Sequence, residues 1–363
     1  MTPFSRITMT PSPPFKPLAP RRPIRPPFPL EEPNCRIFHL ARQGLFAGVK
    51  TLGLEPGDEV LVPAYHHGSE VEALVQAGIV CRFYEGGEHL EPVEEELETL
   101  LNARVRALHL IHYIGLPQDA ARWRAWCDKH DLLLIEDAAQ AWLSSREGVP
   151  VGTYGDLTIF CLYKTFGVPD GAAVISSPPV ELPRLRRNLE LKRVALRYAS
   201  HVVQRSYWLA ELRHRLRHDA EHAGRPDFQL GEPRGASHIT MAYLLPWAMY
   251  PEAQVAQAAR SANYAFLLER LEQLVPEPYS QLNEGASPYI FPILSSQKNK
   301  LLERLDRRGI GAWANFWSIP HPSLPTEGFE RAWALRESVV GLPVHQDLSI
   351  RELDRIAEAV LDA

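Results

Sequence analysis

Between residues 105 and 177 the sequence contains short apolar runs that each end in a polar group. One run covers residues 132–137 and ends at Asp137, another leads through residues 157–160 towards Lys164, and a third covers residues 171–176. Strands of a parallel sheet are buried on both faces and therefore read as continuous apolar runs. Functional groups in such sheets lie at the carboxyl ends of the strands. The pattern predicts a parallel sheet with Asp137 and Lys164 at one edge.

Helical and strand patterns alternate along most of the chain. Apolar residues at helical spacing predict helices over residues 36–52, 70–77, 91–102, 120–130, 253–274, 297–308 and 349–363. Apolar runs predict strands over residues 59–63, 79–84, 107–113 and 289–294 and strand regions that begin at residues 309 and 338. Alternation of this kind is typical of βαβ units, so the fold class is α/β with a mostly parallel sheet flanked by helices.

Composition shifts divide the chain into three parts. Residues 1–34 hold about a third of the 32 prolines and predict an extended arm, because proline fixes φ and removes a donor. This arm either lies on the protein's own surface or embraces a partner subunit. Residues 35–252 form a large domain with an arginine- and leucine-rich helical excursion at 181–222 and a Gly- and Pro-rich linker at 223–237. Residues 253–363 form a smaller α+β domain.

The overall composition is that of a globular protein. Hydrophobic residues make up 45% and charged residues 23% of the 363 residues, and the net charge of −5 gives no reason to expect a nucleic-acid partner. The sequence lacks an apolar run near the ~18 residues of a membrane helix. The four cysteines have no CxxC spacing, which favours free thiols in a reducing compartment. We therefore expect a cytoplasmic protein that does not bind membranes.

Asp137 and Lys164 together favour one cofactor. Pyridoxal 5′-phosphate needs a lysine to bond with its aldehyde and an acid partner for its pyridinium nitrogen. Asp137 and Lys164 lie 27 residues apart, each at or just past the end of a predicted strand. A surface lysine and a helix-capping aspartate are the ordinary alternatives for these two positions.

Four blocks of sequence resemble the DegT/DnrJ/StrS-type sugar aminotransferase family, of which the chain is a divergent relative. The blocks are GLEPGDEVLVP at residues 53–63, IEDAAQA at 135–141, residues 152–164 with Gly171, and the closing segment 338–363. The resemblance implies the pyridoxal-phosphate fold type I architecture. It also implies a homodimer with its site at the subunit interface, an amino donor such as glutamate or glutamine, and a nucleotide-linked keto-sugar as acceptor.

The resemblance assigns roles to four residues of this sequence. Lys164 would bond to the cofactor and move protons at the substrate's α-carbon. Asp137 would keep the pyridine nitrogen protonated, and Gln140 would face the phenolic oxygen. His67 falls where the family places the aromatic residue that stacks on the ring. A metal site at His67 and its neighbour His66 is disfavoured, because adjacent side chains point apart.

Two parts of the phosphate site depart from the family's pattern. The family's phosphate-binding serine lies in a loop that is two residues shorter here, and Cys161 begins the segment CLYK in its place. Its Gly-Thr-Ala turn is replaced by ARQG at residues 41–44, where Arg42 and Gln43 stand at a helix start. Backbone amides of that helix start would still bind phosphate, with added charge from Arg42.

Several further residues have two readings from sequence alone. His112 either lines the pocket or is a satisfied core histidine, and Asp156 is expected to cap a turn. Glu70 is read as an ordinary helix residue. The resemblance places Asn315, Trp317 and His321 in the part of the second domain that reaches the substrate.

Two alternatives to transamination remain open. The same cofactor chemistry supports elimination, decarboxylation or carbon–sulfur cleavage, and the altered loop before Lys164 is compatible with a reshaped pocket. The other alternative is a degenerate family member that works as a binding or regulatory protein. The presence of both Asp137 and Lys164 argues against the latter.

Overall fold

The computed structural model describes residues 6–13, 25–182, 191–206, 228–249, 253–313 and 317–362. A seven-stranded sheet forms its centre, in the order β1-β9-β8-β5-β4-β2-β3. Its strands are β1 (Cys35–Phe38), β2 (Glu59–Pro63), β3 (Val80–Tyr84), β4 (Val105–Ile111), β5 (Leu133–Asp137), β8 (Leu157–Cys161) and β9 (Ala172–Ser176). Two short strands, β6 (Ser145–Arg146) and β7 (Val149–Pro150), form a hairpin between β5 and β8.

Helices follow most of the strands. They are α1 (Ala41–Thr51), α2 (Ser69–Gln76), α3 (Glu94–Leu100), α4 (Ala120–Lys129), α5 (Leu162–Thr165), α6 (Leu191–Arg205), α7 (Leu245–Ala248), α8 (Ala253–Leu271), α9 (Lys298–Arg307), α10 (Glu330–Ser338) and α11 (Ile350–Leu361). Within the described ranges, none of these helices has both the length and the apolar character needed to cross a bilayer.

The sheet is mostly parallel, as the sequence predicts. β3, β2, β4, β5 and β8 pair in parallel, whereas β9 runs antiparallel to both β8 and β1. The carboxyl ends of β2, β4, β5 and β8 therefore meet at one edge of the sheet. In open α/β sheets this is the edge at which ligands bind.

Helix α1 packs unusually close to the sheet through two glycines. A Cβ at Gly44 would lie 2.2 Å from Cγ2 of Val174, and one at Gly48 would lie 2.4 Å from Cδ1 of Leu157. Larger residues at these positions would push the helix away from β8 and β9. The close packing sets the first turn of α1 beside the end of β8, where Cys161 lies.

Residues 253–363, the predicted second domain, contain a two-stranded antiparallel sheet. β10 (Ile290–Leu294) and β11 (Val339–Pro343) pair from Ile290 opposite Pro343 to Leu294 opposite Val339. The helix α11 begins with the capping box expected from sequence, in which Ser349 and Glu352 bind each other's backbone N–H groups. This part of the chain thus combines helices with an antiparallel sheet.

Two predicted elements differ from the structure. Residues 35–38 form the edge strand β1 and not the start of a helix, because they pair with β9 in a register that sets Cys35 opposite Ile175. Pairing within a sheet overrides local helical spacing. The segment after Gly309 makes only isolated bridges in its described part, Ile310 with Ile7 and Trp313 with Gly341.

Residues 6–13, one of the two described parts of the N-terminal arm, lie on the predicted second domain of the same chain. Ile7 is 2% exposed and bridges to Ile310. The Thr8 carbonyl oxygen lies 2.9 Å from Nε2 of His345, and the Ser12 N–H donates to Asp347 at 2.7 Å. These contacts favour the surface-tail reading for this segment. Of the predicted helical excursion at 181–222, α6 is described, whereas residues 183–190 and 207–227 lie outside the described ranges.

Candidate active site

A cavity of about 340 Å³ opens at the carboxyl edge of the sheet. Six of the seven residues that the sequence assigns to catalysis or cofactor binding line it: Arg42, His67, Asp137, Gln140, Cys161 and Lys164. They come from α1, the β2–α2 loop, β5 and the β8–α5 turn, so the topology of the sheet brings them together. Their roles as catalytic or cofactor-binding groups are predictions, which depend on the contacts and the burial of each side chain.

Lys164 lies on the one-turn helix α5, directly after β8. Its ammonium group lies 5.6 Å from the ring centroid of Tyr289, a residue of the second domain. An aromatic face attracts a cation at this distance. Lys164 therefore projects into the space between the sheet edge and the second domain.

The buried Arg260 of α8 fixes the turn that carries Lys164. Its Nη2 donates to the carbonyl oxygens of Thr165 at 2.8 Å and Lys164 at 3.4 Å, and its Nη1 donates to Pro288 at 2.9 Å. Its Nε donates to Gln346 at 2.8 Å. Burial lowers the pKa of Arg260 to about 10. The sequence offered no signal for this role, because an arginine within a long helix reads as a surface residue.

Asp137 ends β5 with a buried carboxylate. Its Oδ1 accepts the backbone N–H of Ala139 at 2.9 Å, and its Oδ2 lies 3.8 Å from Nε2 of His109. Burial, together with the negative charge of Glu70, raises the pKa of Asp137 to about 6. A positively charged group in the cavity would lower this pKa again and keep Asp137 ionised at lower pH.

The residue before Asp137 faces the other side of the sheet. The Glu136 carboxylate accepts the N–H groups of Gly152 at 3.0 Å and Tyr154 at 2.8 Å, and it lies 2.9 Å from Nε2 of His112. His112 also accepts the Gln118 N–H at 3.0 Å. Of the two readings of His112, the structure supports the satisfied core histidine.

Gln140 lies at the cavity with a fixed orientation. Its Oε1 accepts the backbone N–H of Ile114 at 2.7 Å. Ile114 has a φ of 49°, a left-handed conformation that is costly for a β-branched residue. Because the amide oxygen is occupied, the NH₂ group of Gln140 is the side-chain group that remains to donate to a ligand.

Glu70 is a cavity residue that the sequence reading treated as an ordinary helix residue. It is 6% exposed, and its Oε1 accepts the backbone N–H of His67 at 2.8 Å. Burial alone would raise the pKa of Glu70, but the neighbouring imidazoles of His67 and His66 bring it down to about 2. The available signal was its position in the first turn of a helix that follows a buried strand.

The two adjacent histidines point apart, as expected. His67 lines the cavity, and burial lowers the pKa of its imidazole. Its Nδ1 lies 3.1 Å from Oγ of Ser69. His66 is fully buried against Phe83, with ring centroids 5.4 Å apart, and its Nδ1 lies 2.9 Å from the Pro63 carbonyl oxygen. Only His67 can stack on a ligand in the cavity.

The first turn of α1 closes one end of the cavity. Leu40, Ala41 and Arg42 line it, and the N-cap residue Leu40 gives no side-chain cap. Helix N-termini of this kind carry partial positive charge and bind anions. Cys161 lies at the same end, with Sγ 3.6 Å from the Tyr163 hydroxyl, and burial raises the pKa of its thiol.

Gln43 does not line the cavity, contrary to the sequence-based assignment. Its Nε2 donates to the carbonyl oxygens of Leu230 at 3.2 Å and Glu232 at 2.9 Å. Successive helical residues point about 100° apart, so Gln43 faces the segment 228–237 when Arg42 faces the cavity. Gln43 therefore holds that segment against α1.

The second domain supplies an aromatic wall of Tyr289, Trp313 and Trp317. Trp317 also packs on Tyr65 and Tyr113, with ring centroids 5.0 Å and 5.5 Å away. Of the residues expected here, Trp317 thus reaches the cavity, whereas Asn315 lies outside the described residues.

His321 and Asp156 have contacts away from the cavity. Nε2 of His321 lies 2.8 Å from the Glu72 carboxylate, and its Nδ1 lies 2.7 Å from Oγ of Ser323. The contacts of Asp156 lie outside its own turn, unlike the cap expected from sequence: its Oδ2 accepts the Leu134 N–H of β5 at 2.7 Å and pairs with Arg124. The expectation that His321 faces the substrate is therefore not met in this chain.

A second arginine that sequence reasoning missed supports the loop carrying His67. Arg336 of α10 is 1% exposed and donates to the carbonyl oxygens of Ala64 at 2.6 Å and His66 at 3.0 Å. It also donates to the Trp317 carbonyl oxygen. Arg336 thus fixes the β2–α2 loop and the aromatic wall relative to each other.

Known proteins with similar sequences include sugar-modifying enzymes. GDP-perosamine synthase of Vibrio cholerae is 33% identical over 146 residues, which cover 39% of this chain and 40% of that protein. The dTDP-3-amino-3,4,6-trideoxy-alpha-D-glucose transaminase of Streptomyces venezuelae is 26% identical over 328 residues, which cover 86% of this chain and 78% of that protein. The first match thus spans two fifths of its relative's length.

The fold matches solved aminotransferase structures. The structure of DesV from S. venezuelae in complex with a ketimine intermediate has a TM-score of 0.66 and 22% sequence identity, and the match covers 90% of this chain and 84% of that one. The fold is thus that of the type I pyridoxal-phosphate enzymes. Residues 39–207, slightly less than half of the chain, match the model of the DegT/DnrJ/EryC1/StrS aminotransferase family, and over this part the chain is similar to that family.

Proposed function

We propose that this protein is a pyridoxal-phosphate-dependent aminotransferase. It would move an amino group from a donor such as glutamate or glutamine to a nucleotide-linked keto-sugar. The observation that carries the proposal is that Lys164 and Asp137 face one cavity that also has a helix N-terminus at its end. The names of the two relatives support a sugar acceptor.

The residues present fit pyridoxal phosphate. The cavity of about 340 Å³ lies within the ~300–1,000 Å³ range of small-molecule sites. Its donor set comprises an amine at Lys164, a buried carboxylate at Asp137, an imidazole face at His67 and the first turn of α1. These groups match the aldehyde, the ring nitrogen, the ring face and the phosphate of the cofactor, respectively.

Each residue has a defined task in this reading. Asp137 would bind the ring nitrogen and keep its proton, Gln140 would donate to the phenolic oxygen, and His67 would cover one ring face. The cofactor, when bound, supplies an electron sink for the bond broken at the substrate's α-carbon. Lys164 would accept the proton from that carbon and so act as the general base.

The phosphate would lie at the start of α1. The N–H groups of the first turn and the guanidinium of Arg42 offer positive charge there. Cys161 contributes only a weak donor at the same end. Phosphate binding in this chain would thus depend on the helix terminus and Arg42 more than on a hydroxyl group.

The aromatic wall suits an acceptor with flat apolar faces. Tyr289, Trp313 and Trp317 offer rings on which a sugar or a nucleotide base can pack, and Tyr and Trp keep a polar edge for hydrogen bonds. The homodimer and the cytoplasmic location expected from the family resemblance belong to this proposal as well. Light scattering of the purified protein would test the dimer.

The visible absorption spectrum with added pyridoxal phosphate tests the proposal. Wild-type protein should show the band of lysine-bound cofactor, and Lys164→Ala should show that of the free aldehyde. Lys50→Ala is the matched control, because Lys50 is an exposed residue near the end of α1 that packs on Phe46. The absence of a band in both wild type and control would overturn the enzyme reading.

Amino donors then separate transamination from other reactions. Glutamate added to the wild-type protein should remove the band and release 2-oxoglutarate in one equivalent per site. Release of carbon dioxide, or elimination of a side-chain group from other amino acids without keto-acid formation, would instead favour a lyase or decarboxylase.

A further inference from the structure

His109 of β4 is a buried imidazole to which the proposed reaction assigns no role. Its side chain is 0% exposed. Neither ring nitrogen has a hydrogen-bond partner among the residues that the structure describes. Buried polar groups are almost always paired, so an orphaned imidazole calls for an explanation.

The strand register sets His109 directly beneath the proposed cofactor carboxylate. His109 pairs with Ile135 of β5, and side chains two residues apart lie on the same face of a strand. Asp137 therefore shares the face of His109. Nε2 of His109 lies 3.8 Å from Oδ2 of Asp137, while Oδ1 is engaged by Ala139.

Two charged groups face His109, one from each neighbouring element. Asp137 faces it from β5, and Glu70 faces it from α2. The negative charge of Glu70 favours the protonated imidazole. Burial dominates and lowers the pKa of His109 to about 4. His109 is therefore neutral near pH 7 and carries a single N–H group.

We propose that His109 is a positioning residue that donates from Nε2 to Oδ2 of Asp137 and so aims the carboxylate at the cofactor's ring nitrogen. The inference rests on the proposed function. The 3.8 Å separation exceeds hydrogen-bond length, and such contacts commonly shorten when a ligand binds. The donated N–H group stabilises the ionised carboxylate, and the fixed tautomer leaves Nδ1 as an acceptor.

The hydrogen bond from His109 would change the pKa of Asp137 in one direction. A hydrogen bond to the charged form keeps the pKa of a carboxylate down. Loss of the donor would raise the pKa of Asp137, so the ionised form would appear only at higher pH. Cofactor retention should then fall first on the acid side of the profile.

The test uses His109→Gln, His109→Asn and His109→Phe. The Gln amide nitrogen can reach the position of Nε2, the shorter Asn amide cannot, and Phe keeps the ring without a donor. His109→Asn and His109→Phe should bind pyridoxal phosphate about tenfold more weakly than wild type, with the acid limb of the visible band moved to higher pH. His109→Gln should stay within about twofold of wild type.

His112→Gln is the matched control. His112 is equally buried just after the same strand, but it contacts Glu136 on the opposite face. It should move the acid limb less than His109→Asn does, because His112 is the smallest of the causes that act on the pKa of Asp137. The inference is overturned if His109→Asn and wild type share one profile, or if His112→Gln shifts it equally. If His109→Phe does not fold, the comparison of His109→Asn with His109→Gln still tests the need for a donor at the position of Nε2.

A measurement on the apoprotein separates this inference from the proposed function. Nitrogen-15 NMR should show the Nε2–H tautomer of His109, and Asp137→Asn should shift that signal while leaving His112 unchanged. If wild type shows no cofactor band but the NMR shift is present, the proposed function fails and the contact stands. If the band is present and the shift is absent, the inference fails alone.

Discussion

Arg260 donates to the carbonyl oxygen of Thr165 at 2.8 Å, which ties a helix of the second domain to the turn that carries Lys164. The same guanidinium donates to Pro288 and Gln346. The angle at which Lys164 enters the cavity is therefore set by a residue almost one hundred positions further along the chain.

Replacement of Arg260 by Met should strongly destabilise the fold. It leaves buried carbonyl groups unsatisfied, at about 1–3 kcal/mol each, so we expect a loss of about 3 kcal/mol in the free energy of unfolding. Arg270→Met, on the same helix but partly exposed, is the control and should cost less than about 1 kcal/mol. Urea unfolding measures both, and equal losses would contradict the prediction.

Glu70→Gln should lower the pKa of Asp137. The charge of Glu70 is one of the causes that raise that pKa to about 6, and glutamine keeps an oxygen for the His67 N–H. We expect the acid limb of cofactor binding to move to lower pH by about one unit. Glu72→Gln on the same helix contacts His321 and should leave the limb in place. An unchanged limb in Glu70→Gln would show that the two carboxylates do not interact.

Cys161→Ser should strengthen cofactor binding. A hydroxyl group donates a better hydrogen bond than a thiol, and one such bond contributes about 1 kcal/mol, or roughly fivefold in affinity. Fluorescence titration with pyridoxal phosphate would measure the change. Cys127→Ser, in a buried thiol away from the cavity, should lose stability without any gain in affinity. Weaker binding by Cys161→Ser would place the phosphate elsewhere.

Arg42→Ala and Gln43→Ala should affect different properties, although the residues are adjacent. The first should change cofactor affinity, and the second should change stability. Arg42 lines the cavity, so its loss should weaken pyridoxal-phosphate binding by about tenfold. Gln43 binds the carbonyl groups of Leu230 and Glu232, so its loss should reduce stability by about 1–2 kcal/mol and leave affinity unchanged. Equilibrium dialysis and thermal unfolding would separate the two outcomes.

The apoprotein should lose stability in mild acid through His66. Burial lowers the pKa of this imidazole to about 3, so the unfolded chain takes up a proton on acidification before the folded protein does. The contribution of neutral His66 to the free energy of unfolding is fully present above its pKa in the unfolded chain, which is about 6.5. This contribution is lost as the pH falls towards the pKa in the folded protein, and the loss is about 2 kcal/mol between pH 6.5 and pH 5. His66→Phe should flatten this part of the stability curve in urea unfolding. An equally steep curve would assign the loss to other groups.

The positions of Asp137 and Lys164 could be predicted because they depend on local pattern. A buried apolar run predicts a strand, alternation with helices predicts parallel pairing, and parallel strands bring their carboxyl ends to one edge. The same logic applies to the Ser349 capping box, which depends on residues three positions apart. These inferences need no knowledge of distant contacts.

Residues whose role depends on distant parts of the chain escaped the sequence reading. Arg260 and Arg336 resemble surface arginines until the second domain packs against the sheet edge, where their guanidinium groups become buried. The spacing of residues 36–52 predicts a helix. Residues 35–38 form the strand β1 because they pair with β9, which lies far along the chain. The sequence assigns Gln43 to the cavity, but the direction of a helical side chain depends on where the helix begins, and Gln43 faces Leu230 and Glu232.

Residues 6–13 lie on a surface built by residues some 300 positions later, as the contact of Arg6 with Asp306 shows. The entropy cost of closing so long a loop delays such contacts during folding. We therefore expect this segment to dock last, onto a second domain that has already formed. Its release would uncover Ile310 without disturbing the sheet, so protease sensitivity near Ile7 should report on the opening of that domain well before global unfolding.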